Sequence, residues 1–235
     1  MNPLEDLIGI KFKNRELLKN AFIHRSYLNE HKFFKVETGQ CPVSTSNEKL
    51  EFLGDSVLAL ITSIYLYQKY PELHEGEYTN IKAAIVKTES LYQAAKKLQL
   101  GQYLYLSKGE ERNNGRDNHS ILADCFEALI AAIFLDQGFE LTRHFVLKFL
   151  FGKKLDNIVK NHLYSSAKNK LQEYLQSRYK KLPEYKIISQ YGPEHRKKYE
   201  IGVFFNKKSI GYGRGKSKKQ AEEKAALNAL QKIRI

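Results

Sequence analysis

The sequence has few cysteines and no long hydrophobic run, and we expect no leader of the kind that marks secreted proteins. Only two cysteines occur among 235 residues. Cys41 falls in a predicted loop and Cys125 in an apolar helix, so no disulfide framework is expected and a reducing cytoplasm fits best. No uninterrupted apolar run approaches the roughly 20 residues of a membrane span. Glu5 and Asp6 come early, and we expect no signal peptide.

Several motifs with well-defined chemistry are also missing. The sequence contains no His-Glu-x-x-His zinc motif, no Gly-x-x-x-x-Gly-Lys-Ser/Thr phosphate loop and no Gly-x-Ser-x-Gly nucleophile elbow. The long apolar helices carry no Glu-x-x-His pair, which argues against a di-iron helical bundle. These absences exclude the commonest zinc, nucleotide and serine-hydrolase sites.

Positive charge is concentrated at the end of the chain. The net charge is +13, and residues 165–235 alone hold 18 Lys and Arg against 6 Asp and Glu, a balance of +12. Such asymmetry indicates a polyanionic partner that is bound mainly by this segment. A basic membrane-surface module is the alternative, but it would require a basic amphipathic helix with aromatic anchors.

The periodicity of apolar residues divides the chain into two domains of different class. Residues 1–156 are predicted to be all-α, with a polar loop at 29–46 and long helices at 48–69, 79–98 and 119–136. Residues 157–166 are polar and predict a linker. Residues 167–235 predict a small α+β domain of order α-β-β-β-α, with a helix at 167–179, strands at 184–191, 199–205 and 209–213, and a last helix that Ser217 opens as N-cap.

Two apolar helices carry acids at spacings that place them on one face. Glu51 and Asp55 are separated by four residues, and Asp124 and Glu127 by three. Burial of uncompensated carboxylates costs several kcal/mol, so a cation is expected beside them. An all-oxygen ligand set suits Mg²⁺ or Mn²⁺ rather than zinc. The alternative is that the acids simply form a solvated helix face.

Two further acids carry a weaker signal. Glu48 lies three residues after Thr45, so it could complete a capping box at the start of its helix. Glu75 lies in a predicted turn, where an exposed acid is ordinary.

These segments together resemble the ribonuclease III family of double-stranded-RNA endonucleases. The resemblance rests on Asn-Glu-Lys-Leu-Glu-Phe-Leu-Gly-Asp-Ser at 47–56, and it extends through His24-Arg25-Ser26, Glu75-Gly76, residues 120–124 and residues 127–130. It implies an endonuclease domain at 1–156 and a double-stranded-RNA-binding domain at 167–235. The loop at 29–46 is longer than the family pattern suggests, and a tolerated surface insertion is favoured over a role in shaping RNA access.

The resemblance also implies roles for individual residues. The metal ligands would be Glu51, Asp55, Asp124 and Glu127, with Asp55 and Glu127 most directly catalytic and Glu48 and Glu75 supporting. The implied reaction is Mg²⁺-dependent hydrolysis, with Mn²⁺ as a substitute, that leaves 5′-phosphate and 3′-hydroxyl ends with two-nucleotide 3′ overhangs. The implied targets are ribosomal-RNA precursors and messenger RNA. The active form would be a homodimer in which Phe52 packs into the partner subunit, although ordinary core packing explains Phe52 equally well.

The basic segment resembles the double-stranded-RNA-binding domain, which reads the shape of A-form duplexes. The residues that match the RNA contacts of that domain are Gln172, Glu173, His195, Ser217, Lys218 and Lys219. Lysines at a helix N-terminus combine side-chain charge with free N–H groups, although a solvated helix end has the same composition. Two other functions remain open from sequence: a protein that binds duplex RNA without cutting it, and a structural scaffold of the same fold.

Overall fold

The computed structural model describes residues 3–30, 45–193 and 196–233, which form two compact units that divide between His162 and Leu163. The helices are α1 (Pro3–Ile8), α2 (Arg15–Asn20), α3 (Arg25–Glu30), α4 (Glu48–Lys69), α5 (Glu75–Ile85), α6 (Thr88–Lys97), α7 (Lys108–Arg112), α8 (His119–Gln137), α9 (Phe139–Val146), α10 (Gly152–Lys160), α11 (Ala167–Tyr179) and α12 (Lys218–Ile233). The strands are β1 (Glu184–Tyr191), β2 (Lys198–Phe205) and β3 (Lys208–Gly215). The predicted α4 is confirmed, and α8 agrees with its prediction to within one residue.

The core of the first unit is built around α8. Between residues 121 and 133 every residue is buried except Asp124 and Glu127. The helix begins at the N-cap Asn118, whose side-chain oxygen accepts hydrogen bonds from the backbone N–H groups of Ser120 and Ile121. α4 and α6 both pack against α8. The two acids are therefore interruptions in a helix that is otherwise covered on all sides.

A glycine sets the distance between α4 and α8. A Cβ at Gly54 would lie well under 3.0 Å from the backbone carbonyl of Glu127, closer than real Cβ atoms approach. A side chain at position 54 would therefore push the two helices apart. Because Glu51 and Asp55 flank Gly54 on α4, the same contact brings the acids of both helices together.

The predicted single helix at 79–98 is wrong, because the chain forms α5 and α6 with a break between them. Lys87 is extended (φ −65°, ψ 150°) and precedes the first residue of α6. Ser90 compensates for part of the break, since its hydroxyl donates to the carbonyl of Ala84 and its N–H to that of Lys87. Apolar periodicity continues across residues 86–87, so it could not reveal the break.

Two other expectations about the first unit need correction. α10 continues to Lys160, so the first residues of the predicted linker 157–166 are helical. The helix that contains Glu48 has Asn47 at its N-cap rather than Thr45, and the Glu48 side chain instead accepts a hydrogen bond from the Ser46 hydroxyl. The capping-box interpretation of Glu48 is therefore wrong. Residues 31–44, with Cys41 and most of the predicted loop, lie outside the described residues.

The second unit has the predicted order α-β-β-β-α. Its strands form one antiparallel sheet in the order β1-β2-β3, and the inward residues of β2 contact the helices α11 and α12. Asn206 and Lys207 form the hairpin turn, both with positive φ, as a type I′ turn requires. Ser217 caps α12, because its hydroxyl oxygen accepts from the N–H of Gln220.

Strand β3 extends beyond its predicted limits of 209–213 at both ends. The glycines Gly211, Gly213 and Gly215 lower its strand propensity in sequence. In the structure they face α12, and a Cβ at any of them would lie under 3.0 Å from the helix backbone. Their absence of a side chain lets α12 lie directly on the sheet.

One helix of the described residues, α4, is long and apolar enough to cross a membrane by length and composition alone. Core helices of globular proteins satisfy the same test, and α4 packs along α8.

The contact at Gly54 predicts a large effect on stability. Gly54→Ala should lower the free energy of unfolding by about 3 kcal/mol or more, because the added methyl group meets a backbone carbonyl that cannot move without shifting α8. Gly76→Ala is the matched control, since nothing lies within 4 Å of its Cβ position and alanine favours a helix. Urea denaturation measures both variants. Equal stabilities for the two would contradict the packing described for α4 and α8.

Candidate metal centre and nucleic-acid interface

Three of the predicted acids meet between α4 and α8. Glu51, Asp124 and Glu127 each place one carboxylate oxygen so that all three oxygens lie within 4.8 Å of one another. All three side chains are half-buried. Oxygen donors at this spacing can surround one divalent cation, and we refer to these three residues as the acid cluster.

Burial and mutual repulsion both disfavour ionisation of the acid cluster. Burial, together with the charges of Asp55, Asp124 and Glu51, raises the pKa of Glu127 to about 8. Burial, followed by the charge of Asp124, raises the pKa of Glu51. Burial also raises the pKa of Asp124, although nearby His24 and Arg25 act in the opposite direction. A divalent cation would relieve the repulsion and lower all three pKa values. The solvated-face alternative is therefore wrong for Glu127.

Asp55, the fourth predicted ligand, lies at the edge of the acid cluster. Its side chain is exposed, and its carboxylate is not among the three that lie within 4.8 Å of one another. Its charge nevertheless contributes to the raised pKa of Glu127 and Glu51. Asp55 is thus an exposed neighbour of the acid cluster, on its solvent side.

The two supporting acids lie in different places. Glu48 is exposed in the first turn of α4, one turn before Glu51, and its charge raises the pKa of Glu51. Glu75 begins α5 and lines a groove with Tyr67 and Tyr78. Tyr67 is 16 residues after Glu51 along α4, so the groove at Tyr67 lies about 24 Å along the helix from Glu51 in the acid cluster. The chain does not bring Glu75 to the acid cluster.

Sequence reasoning missed two basic side chains beside the acid cluster, Arg25 and His24. Arg25 forms an ion pair with Glu48 at 3.7 Å. His24 is partly buried, which lowers its pKa, while the carboxylates of Glu110, Asp124 and Glu48 raise it. The tripeptide His24-Arg25-Ser26 was part of the resemblance, but its residue types alone do not indicate contact with acids on another helix.

Phe52 is 79% exposed, so the core interpretation of this residue is wrong. Leu60 and Tyr67 are also exposed, by 53% and 73%, and they follow Phe52 at intervals of eight and seven residues. These intervals are close to two helical turns, so the three side chains form one apolar stripe along α4. The stripe offers a surface for another protein chain.

The second unit gathers cations at the start of α12. Lys216, Ser217 and Lys218 line a groove together with Tyr199 and the segment Arg196–Lys198. Sequence reasoning assigned Ser217, Lys218 and Lys219 but missed the cations at 196–198, although three consecutive basic residues would have indicated them. Nearby, the N-terminus of α11 is joined to α12 by an ion pair between Lys168 and Glu222 at 2.6 Å.

Among the described residues, the remaining predicted RNA contacts do not line this groove. Gln172 and Glu173 are exposed side by side on α11, where they can reach a ligand. His195 lies outside the described residues.

The chain matches known proteins along nearly all of its length. Residues 14–154 match the family model described as Ribonuclease-III-like, and residues 167–233 match the double-stranded RNA binding motif. Ribonuclease 3 from Oceanobacillus iheyensis is 41% identical over 233 residues, which cover 99% of this chain and 98% of that protein. Ribonuclease 3 from Clostridium botulinum is 42% identical over 232 residues, which cover 99% and 95%.

A solved structure agrees with these sequence matches. The nuclease domain of ribonuclease III from Campylobacter jejuni is 36% identical and superimposes with a TM-score of 0.55, covering 63% of this chain and 94% of that one. Because a family model covers the helical unit and relatives above 40% identity span almost the whole chain, this protein belongs to the ribonuclease III family of double-stranded-RNA endoribonucleases.

Proposed function

We propose that the acid cluster, with Asp55 at its edge, binds a divalent cation and is the site at which this chain hydrolyses duplex RNA. The observation that carries the proposal is the meeting of three half-buried carboxylates from two helices within 4.8 Å. Carboxylate oxygens favour Mg²⁺, with Mn²⁺ as a substitute, over softer metals. A bound ion of this kind supplies an activated water and neutralises charge on the phosphate.

The residues of the site divide the remaining work according to their burial. Glu51 and Asp124, held by α4 and α8, would hold the cation. Glu127 is the acid whose pKa is raised to about 8, and it would ionise when a cation is bound. Asp55 is exposed at the edge of the acid cluster, which suits it for orienting water. We expect 5′-phosphate and 3′-hydroxyl ends with two-nucleotide 3′ overhangs.

We propose that the active form is a homodimer joined through the apolar stripe Phe52, Leu60 and Tyr67. An exposed aromatic at 79% is costly in water and marks a contact surface. A region of the Campylobacter jejuni nuclease domain is described as involved in dimer formation. An antiparallel approach of two α4 helices would also bring Glu75 of a second copy towards the acid cluster, and so give Glu75 its supporting role.

The second unit is proposed to hold the duplex. The groove at the start of α12 presents lysines beside the N-terminal N–H groups of a helix, where phosphates bind favourably. Gln172 and Glu173 on α11 would contact 2′-hydroxyls in the minor groove. We expect the reaction to take place in the cytoplasm on ribosomal-RNA precursors and messenger RNA.

The first prediction concerns the acid cluster. Glu127→Gln should reduce cleavage of a labelled RNA duplex in Mg²⁺ by at least about 100-fold, because a ligand to the cation is lost. Duplex binding in gel shifts should be unchanged. Glu140→Gln, an exposed acid on α9, serves as the control and should cut normally. Cleavage by Glu127→Gln at the wild-type rate would refute the site.

The second prediction concerns pH. The pKa of Glu127 is higher in the folded protein, at about 8 against an ordinary 4.5, so the folded state binds more protons between these values. Without metal, the contribution of the protonated Glu127 carboxyl to the free energy of unfolding is therefore lost as pH rises from 4.5 to 8. In EDTA, the melting temperature of Glu127→Gln should increasingly exceed that of the wild type from pH 5.5 to 8, and Mg²⁺ should remove the difference. If the melting temperatures of the two proteins in EDTA changed equally with pH, the raised pKa of Glu127 would be contradicted.

The third prediction concerns RNA binding. Lys218→Gln with Lys219→Gln should weaken duplex binding and reduce the slope of log K against log salt by about 0.7–0.9 for each lost phosphate contact. Lys180→Gln with Lys181→Gln is the control pair. Lys181 bonds Asn206 in the hairpin between β2 and β3, at the opposite end of the strands from the β3–α12 connection. Equal slopes for both double variants would exclude the proposed groove.

The fourth prediction concerns the dimer. Phe52→Ala should weaken self-association by about 2 kcal/mol, or roughly 30-fold, as expected when an aromatic hot-spot contact is lost. Leu141→Ala removes a 44% exposed side chain from α9 and should leave association unchanged. Sedimentation equilibrium measures both. A wild type that stays monomeric, or a Phe52→Ala variant that associates as tightly, would rule out the stripe as the interface.

A further inference from the structure

Arg25 is attached to a rigid part of the backbone beside α4. The N–H of Asn47 donates to the carbonyl of Ile23 at 2.8 Å, and the N–H of His24 donates to the carbonyl of Tyr105 at 3.1 Å. On the other side of Arg25, the Ser26 hydroxyl accepts from the N–H of Ser107 at 3.1 Å. The backbone around Arg25 is therefore fixed relative to the first turn of α4.

The Arg25 side chain, in contrast, is 72% exposed. Its ion pair in the described part of the chain is with Glu48, at 3.7 Å, and the Glu48 side chain is itself 55% exposed. An exposed pair at this distance contributes little to stability, about 0–1 kcal/mol. Its five N–H donors far exceed what one long contact can use. The guanidinium is thus poorly explained as a structural counter-ion.

The position of the guanidinium relates it to the acid cluster. Glu48 and Glu51 are three residues apart on α4 and share one face, so a cation at Glu48 lies about one helical turn from the cluster. The charge of Arg25 lowers the pKa of both Glu51 and Asp124, against the effect of burial. The exposed guanidinium therefore lies close enough to the acid cluster for its charge to act on two of the three acids.

We propose that Arg25 is a substrate-binding residue that donates hydrogen bonds to a backbone phosphate of the duplex at the acid cluster. The inference rests on the proposed site of hydrolysis and adds a ligand for the RNA from the helical unit itself. A planar guanidinium matches two phosphate oxygens, and a fixed backbone with a solvated tip lets it bind with little reorganisation. Arg25 also offsets the repulsion between RNA phosphates and the acids around it.

The test compares Arg25→Gln with Arg25→Lys in steady-state cleavage of a labelled duplex. Arg25→Gln should raise KM about tenfold, the effect of losing one charge-assisted hydrogen bond, with a smaller change in kcat. The slope of log(kcat/KM) against log salt should fall by about 0.7–0.9 for the lost contact. Arg25→Lys should recover the salt slope but only part of the affinity, since lysine cannot bind in bidentate fashion. Arg143→Gln is the matched control, because Arg143 pairs with Glu140 at 3.8 Å on α9.

A second comparison separates RNA binding from a role through Glu48. If Arg25 only orients Glu48, then Glu48→Gln alone should reproduce the defect, and Arg25→Gln should add nothing to it. Under the proposal, Arg25→Gln still raises KM in the Glu48→Gln background, and Mn²⁺ still raises the melting temperature of Arg25→Gln as it does that of the wild type. Unchanged KM and salt slope in Arg25→Gln, with a wild type that cuts, would overturn this assignment alone. A wild type that binds the duplex and does not cut would overturn the proposed function first, and this assignment with it.

Discussion

The close approach of α4 to α8 at Gly54 is the constraint on which the helical unit depends. Glycine at this position lets the carbonyl of Glu127 lie where a Cβ would otherwise be. Glu51 and Glu127 approach each other because their helices do, and so the chemistry of the site follows from a packing contact. The apolar residues around them on α8 supply the burial energy that holds the helices together against carboxylate repulsion.

The repulsion among these carboxylates destabilises the metal-free fold, and under the proposed function it is also the source of affinity for a cation. The raised pKa of Glu127 shows that the protein alone does not satisfy the charge of the acid cluster. A divalent ion could interact with all three carboxylates at once, whereas the exposed cation Arg25 meets Glu48 directly. The geometry that destabilises the metal-free protein near neutral pH would therefore favour a metal-bound form.

The sequence was sufficient to predict the elements and most of the site, because both depend on local patterns. Apolar periodicity predicted α4 and α8, and the acids within it predicted a cation. Periodicity could not find the break at Lys87, because the apolar pattern is the same on both sides. Periodicity also could not predict how deeply each acid is buried. Asp55 is exposed and Glu127 is half-buried, although both are acids within an apolar helical pattern. The burial of each acid depends on the neighbouring helix, and the only sequence signal for the contact between α4 and α8 was the glycine at position 54.

Contacts between distant segments were the least predictable part. Nothing in the tripeptide that contains Arg25 indicates that its side chain reaches Glu48 on another helix. In the second unit the predicted strand 209–213 is shorter than β3, and the packing of the β3 glycines against α12 is a tertiary effect that the local pattern does not reveal. The family resemblance implied roles for Glu51, Asp55, Asp124 and Glu127 but none for Arg25, and the structure adds the exposures of these side chains.

The most direct test of the central claim is the position of a bound ion in a crystal of this protein grown or soaked with Mn²⁺. We predict an anomalous-scattering peak between α4 and α8, with carboxylate oxygens of Glu51, Asp124 and Glu127 at about 2.0–2.2 Å from it. A Mn²⁺ peak elsewhere in the crystal, with no peak at these three side chains, would contradict the claim that the acid cluster binds the cation.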